Sequence, residues 1–133
     1  MANYSDSLPL YIRIANAAKE YLLLGVFKEE VQIPSTTTLA KQYGINIATV
    51  NKAISVLVDE GLVYKKRGVG MFVKKGATKK LIKERRKTFV ANYVNETVLE
   101  AKKLHYSFEE LRVIATKAFY DIYGEEAKKI GKN

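Results

Sequence analysis

The sequence predicts a mainly α protein with one small β-hairpin, arranged in two parts. Two observations predict this. Between residues 9 and 58 apolar side chains recur at three- and four-residue spacing in three stretches; over 62–73 the period shortens to β-rich runs around a glycine-containing turn. From Ala77 onward there is no proline, and the next glycine after Gly76 is Gly124, so the remainder reads as long helices. The expected division is 1–76 and 77–133, the second part holding a long helix at about 78–104 and a shorter one at about 107–123.

Each element has a local cause. Pro9 suits the first turn of a helix, and Leu10, Tyr11, Ile14, Ala17, Ala18, Tyr21 and Leu22 follow at helical spacing until Gly25 ends the pattern. After Pro34, Ser35 or Thr36 can cap a short helix carrying Leu39, Ala40 and Tyr43, closed by Gly44. Asn46 caps a third, whose inward stripe is Val50, Ile54, Leu57 and Val58 and which stops at Gly61. Leu62-Val63-Tyr64 and Met71-Phe72-Val73 then flank a turn running from Lys65 to Gly70, a hairpin with a basic tip. In the tail, Ser107 with Glu110 forms a capping box after a tight turn at His105–Tyr106.

Composition narrows the functions available. The chain has 133 residues, 23 Lys+Arg against 14 Asp+Glu, and a formal net charge of +9. The absence of cysteine excludes disulfide scaffolds, thiolate metal sites and thiol nucleophiles, and a single histidine, His105, leaves no imidazole cluster. Adjacent carboxylates such as Glu29–Glu30 and Glu109–Glu110 do not face each other on a helix, so no general acid/base pair is read. No enzyme activity, metal or cofactor is expected. No apolar run approaches the roughly 20 residues that cross a bilayer, and no leader peptide opens the chain, so a cytoplasmic protein is expected. Excess positive charge in that setting points to a polyanion.

The segment from Leu39 to Ser55 is where that charge acquires a geometry. Short helix, turn at Gly44–Ile45 and capped second helix make a helix-turn-helix. With positions 50, 54, 57 and 58 turned inward, Ala48, Asn51, Lys52 and Ser55 share the opposite face. Small residues let such a helix enter a major groove; Asn suits bidentate contact with adenine, Thr and Ala suit a thymine methyl, and Lys reaches guanine or phosphate. At the hairpin, Lys65, Lys66 and Arg67 stand beside Gly68 and Gly70, whose missing Cβ permits a tight turn near a duplex.

Pro9-Leu10-Tyr11, Gly25, Ile33-Pro34-Ser35, Leu39-Ala40, Thr49-Val50, Glu60-Gly61-Leu62-Val63 and Gly68-x-Gly70-x-Phe72-Val73, in that order, resemble the winged-helix domain of the GntR family of bacterial transcription regulators. The two-helix tail is similar to the YtrA subfamily, which lacks a larger ligand-sensing domain and dimerises through that tail. The resemblance implies a winged helix-turn-helix domain followed by a two-helix dimerisation tail, in a bacterial cytoplasm. It implies that Ser35, Thr36 and Thr37 approach phosphates, that Asn46, Ala48, Thr49, Asn51 and Lys52 face the major groove, and that Lys66, Arg67 and Gly68 form the wing. Family members often carry arginine where Ile47 and Asn51 stand here, a change that weakens guanine recognition and phosphate anchoring.

In the tail, Ile82, Phe89, Tyr93, Val94, Val98 and Leu104, then Phe108, Leu111, Ile114 and Phe119, form apolar stripes with nothing nearby to cover them; a homodimer interface is expected. Tyr93, Tyr106, Phe108, Phe119 and Tyr123 are read first as packing and secondarily as the lining of a small-molecule effector pocket in the tail or at its junction with the first part. The run from Lys79 to Lys87 has six cations in nine positions; it is read as a solvated helix face, ahead of an extended DNA footprint or an anionic membrane surface. The leading function is a sequence-specific DNA-binding regulator, a repressor by resemblance, acting as a homodimer on a palindromic operator of double-stranded DNA, of the kind that controls a transporter operon. The alternative is a winged-helix interaction or architectural module with only non-specific DNA binding.

Overall fold

The computed structural model of the chain describes residues 7–130, in two compact units that divide between Arg86 and Lys87. The first unit begins with α1 (Leu10–Leu23), entered from Pro9 in extended conformation. A two-residue strand, β1 (Gln32–Ile33), leads to α2 (Thr36–Tyr43). Then come α3 (Ile47–Asp59), β2 (Val63–Lys66), β3 (Gly70–Val73) and α4 (Ala77–Phe89). The strands form an antiparallel sheet in the order β1-β3-β2.

The caps are those that the sequence supplies. Ser35 Oγ accepts the Thr38 N–H (3.1 Å) at the start of α2, and Asn46 Oδ1 accepts the Ala48 N–H (2.8 Å) at the start of α3. Between them Gly44 takes φ 64, a left-handed turn that a side chain resists, and this turn sets α3 across α2. The core is one cluster: Ala15 and Leu22 from α1, Ile33 from β1, Val50, Ala53, Ile54 and Leu57 from α3, and Leu62, Val63, Met71 and Val73 around the hairpin. Burying Val50, Ile54 and Leu57 contributes about 1.5–3 kcal/mol each, which fixes the rotation of α3 and therefore what faces out.

Two features depart from the hairpin expected above. β1 adds a third strand, too short to show any alternation in sequence. Lys65 and Lys66 belong to β2 rather than to the tip, because the ladder continues through Lys65↔Met71 and Lys66↔Gly70; the turn itself is Arg67, Gly68 and Val69. By contact the first unit also runs past the composition change at Gly76. Ala77 and Leu81 of α4 are buried in its core, Glu29 Oε1 accepts the Thr78 N–H (3.3 Å), Lys80 donates to the Glu60 carbonyl, and Arg85 pairs with Glu20.

The second unit continues the helix through a π-turn (Val90–Val94) into α5 (Asn95–Lys103). The chain reverses at His105, which takes φ 61 while Tyr106 N–H bonds Ala101 O and His105 N–H bonds Lys102 O. Then α6 (Phe108–Tyr123) starts from the Ser107–Glu110 capping box, followed by a 3-10 turn (Gly124–Glu126) and α7 (Ala127–Ile130). In the box the Ser107 N–H and hydroxyl both favour the ionised carboxylate, the N–H most, and hold Glu110 below the usual glutamate range. Among the described residues of this unit only Ala101 and Ala127 are buried.

Candidate nucleic-acid interface

The outer face of α3 carries Ala48, Asn51, Lys52 and Ser55, all exposed, while Thr49 is half-buried. Their readiness differs. Ser55 Oγ donates back to the Asn51 carbonyl (3.0 Å), turning its hydroxyl toward the helix. Asn46 spends its carbonyl oxygen on the cap, which leaves its amide NH2. Lys52 lies over the Tyr11 ring, 4.3 Å from the centroid, so its ammonium is held between α1 and α3. The Asn51 amide makes no bond to the described residues. At α2, Ser35 is committed twice, since its hydroxyl also donates to Thr38 Oγ1 (2.8 Å); the N–H groups of Thr36 and Thr37 at N1 and N2 are the donors left to an anion.

The wing is braced from the side by a residue that the sequence did not mark. Gln32 Nε2 donates to the Val69 carbonyl (3.0 Å), holding β1 to the turn. This is why position 70 is glycine: with φ 148, a Cβ there would lie 2.3 Å from Gln32 Nε2. On the outer face of the sheet Tyr64 stacks on Phe72 (5.7 Å between centroids), and Lys66 projects over Phe72 at 5.7 Å from its ring. Arg67, Gly68 and Val69 are exposed at the tip.

Charge is segregated within this unit. From Val31 to Val58, and again from Gly61 to Lys83, there is not one aspartate or glutamate, so α2, α3 up to its last residue, Asp59, and the wing carry cations alone. The acids gather elsewhere, where Lys19 meets Glu60 (2.6 Å), Arg85 meets Glu20 and Glu29 caps α4. Of the basic run 79–87, Lys80 and Arg85 are thus structural clamps. The sequence presents these residues as charge alone, without their partners.

Of the dimerisation candidates, Ile82 lies in the first unit and the other nine in the second. Ile82, Phe89, Tyr93, Val94, Val98, Leu104, Phe108, Ile114 and Phe119 are exposed, Phe108 at 77%, and Leu111 is half-buried. Phe119 stacks on Tyr123 (4.3 Å) and meets Tyr120 edge-on (5.9 Å). A cavity of about 380 Å3 lies in the first unit, between α1, α2 and α3. Among the described residues no group of acids and His could hold a metal ion, and no helix is long and apolar enough to cross a membrane.

Three helices, a helix-turn-helix turned by Gly44 and a braced basic hairpin define a winged helix-turn-helix protein of the regulatory class. Residues 10–73 match the bacterial regulatory proteins of the gntR family. Over more of its length the chain is similar to the HTH-type transcriptional repressor YtrA of Bacillus subtilis, 31% identical over 106 residues that cover 80% of this chain and 78% of that protein. The chain belongs to the gntR family. It is 37% identical to the HTH-type transcriptional repressor NagR of Bacillus subtilis over 73 residues, 55% of this chain, but spans only 30% of NagR's length. A GntR-family transcriptional regulator from Bacteroides thetaiotaomicron has the same fold at TM-score 0.62 and 29% identity, over 85% of this chain and 98% of its own. A transcriptional regulator from Oenococcus oeni shares the fold at TM-score 0.69 and 23% identity, over 84% and 92%. These relatives are transcriptional regulators and not enzymes.

Proposed function

We propose that the protein is a sequence-specific DNA-binding repressor that acts as a homodimer on a palindromic operator, of the kind that controls a transporter operon. The observation that carries the reading is the acid-free surface of α2, α3 as far as Val58, and the wing, with Asn51 and Ala48 on it. Lys41 of α2 and the cations of the wing supply salt-dependent attraction to phosphates, and the small, hydrogen-bonding face of α3 supplies base discrimination. Ser35 shapes the anion-facing turn rather than binding there itself, while the Thr36 and Thr37 N–H groups take the phosphate. Lys65, Lys66, Arg67, Gly68 and Gly70 form the wing that tracks the backbone.

The homodimer is supported by what the second unit lacks. A segment this short, with only Ala101 and Ala127 buried among its described residues, has too little core to hold two helices in place alone. Phe89, Tyr93, Val98, Phe108 and Ile114 meeting their symmetry mates would supply that core. Two-fold symmetry then gives each protomer one half-site. Sedimentation of the full chain, and titration against genomic fragments at two salt concentrations, test both parts. A dimer that prefers particular fragments is expected. A monomer overturns the interface, and equal binding to every fragment makes the protein an architectural module instead.

A further inference from the structure

The apolar cavity of about 380 Å3 in the first unit lies under the reading helix. Val50, Ala53, Ile54 and Leu57 form its floor, all four buried on the inner face of α3. Its exposed rim is made by Arg13 and by the phenols of Tyr21 and Tyr43. These phenols hydrogen-bond each other, and that bond, then their mutual repulsion and slight desolvation, raises the Tyr43 hydroxyl above the ordinary phenol value. The Tyr43 hydroxyl therefore stays protonated at neutral pH. No carboxylate lines the cavity, and Arg13 has no ion-pair partner among the described residues. An apolar floor of ligand-binding size with a rim of cation and hydroxyl donors matches one chemistry.

We infer that this cavity binds a small apolar carboxylate, with the hydrocarbon against the inner face of α3 and the carboxylate on Arg13 and the tyrosine hydroxyls. Occupancy acts on DNA reading because floor and reading face are two sides of one helix. A wedge between α1 and α3 also moves Lys52, which is held to Tyr11 of α1. This regulatory consequence rests on the DNA-binding function proposed above; the binding site itself does not.

The test is a methyl NMR titration of the full chain with octanoate, beside 1-octanol and octylamine as the neutral and cationic probes of equal length. Octanoate is expected to shift the Ile54 and Leu57 methyls saturably and to bind about tenfold more tightly than octylamine. Arg13→Gln, on the exposed rim, is expected to remove that preference while leaving 1-octanol unchanged. Ala53→Leu fills the floor and is expected to abolish binding of all three; if it unfolds, Arg13→Gln alone decides. Unmoved floor methyls, or equal affinity for all three probes, overturn the site. The titration needs no DNA, so its result stands even if operator binding fails. With an operator in hand, saturating octanoate is expected to change its affinity severalfold, and an unchanged affinity overturns the coupling.

Discussion

Replacing Gly70 with alanine tests how the wing is held. The new Cβ would sit 2.3 Å from Gln32 Nε2, 3.1 Å from Cδ and 3.5 Å from Cγ, while φ 148 is backbone that side chains rarely adopt. The end of the glutamine is flexible, so it swings away and the clash is relieved at the cost of its bond to the Val69 carbonyl. Backbone strain contributes about 2 kcal/mol and the lost hydrogen bond about 1 kcal/mol, so Gly70→Ala should destabilise by about 3 kcal/mol. Gln32→Ala should cost about 1 kcal/mol. In the double variant the bond is already gone and only strain is added, so the total stays near 3 kcal/mol, about 1 kcal/mol below the sum. Urea unfolding at one fixed protein concentration measures all four corners of the cycle. Strict additivity would show that Gln32 and Gly70 are not coupled, and a neutral Gly70→Ala would show that the wing is not built as described.

Three further outcomes follow from the same geometry. Asn51→Ala should reduce preference for the selected operator by about 1–3 kcal/mol and leave affinity for random DNA unchanged; equal loss on both in a gel-shift titration would remove Asn51 from base reading. Lys66→Ala with Arg67→Ala should weaken binding to every sequence and reduce the salt slope by about 2, whereas an unchanged slope would place the wing away from phosphates. Because Glu110 is held below its ordinary value, the capping box stabilises α6 fully above the usual glutamate range, and that stability is lost as pH falls through the depressed folded value. Glu110→Gln keeps the box but removes this titration, so helicity followed by circular dichroism should lose less on acidification; identical acid profiles would contradict it.

What the sequence made legible was local. Ser35, Asn46, Ser107 and Glu110 declare their caps by type and spacing, and the stripe at 50, 54 and 57 orients α3. What it hid was set by contacts distant along the chain. β1 is two residues long and exists because β3 offers it a free edge, so Gln32 gives no local sign of bracing a turn that lies 37 residues on. Lys80 and Arg85 look like their neighbours in a basic run until Glu60, just past the end of α3, and Glu20 of α1 meet them. Lys65 and Lys66 read as turn residues because Met71 and Gly70, which pair with them, lie across the turn. The π-turn at Val90–Val94 keeps helical spacing too closely to interrupt the apolar pattern. The cavity under α3 was not legible either, because a cavity is what packing leaves over and no residue type encodes it.

Two copies of this surface are expected to read DNA in register. Selection of bound duplexes from a random pool by the full chain, sequenced after binding at two salt concentrations, tests it most directly. The expected product is a two-fold symmetric sequence whose half-sites lie about one helical turn, 10–10.5 base pairs, or a multiple of it apart, more sharply enriched at the higher salt where phosphate attraction is screened. A pool that returns with no enriched sequence, or with an unpaired single site, would contradict the account.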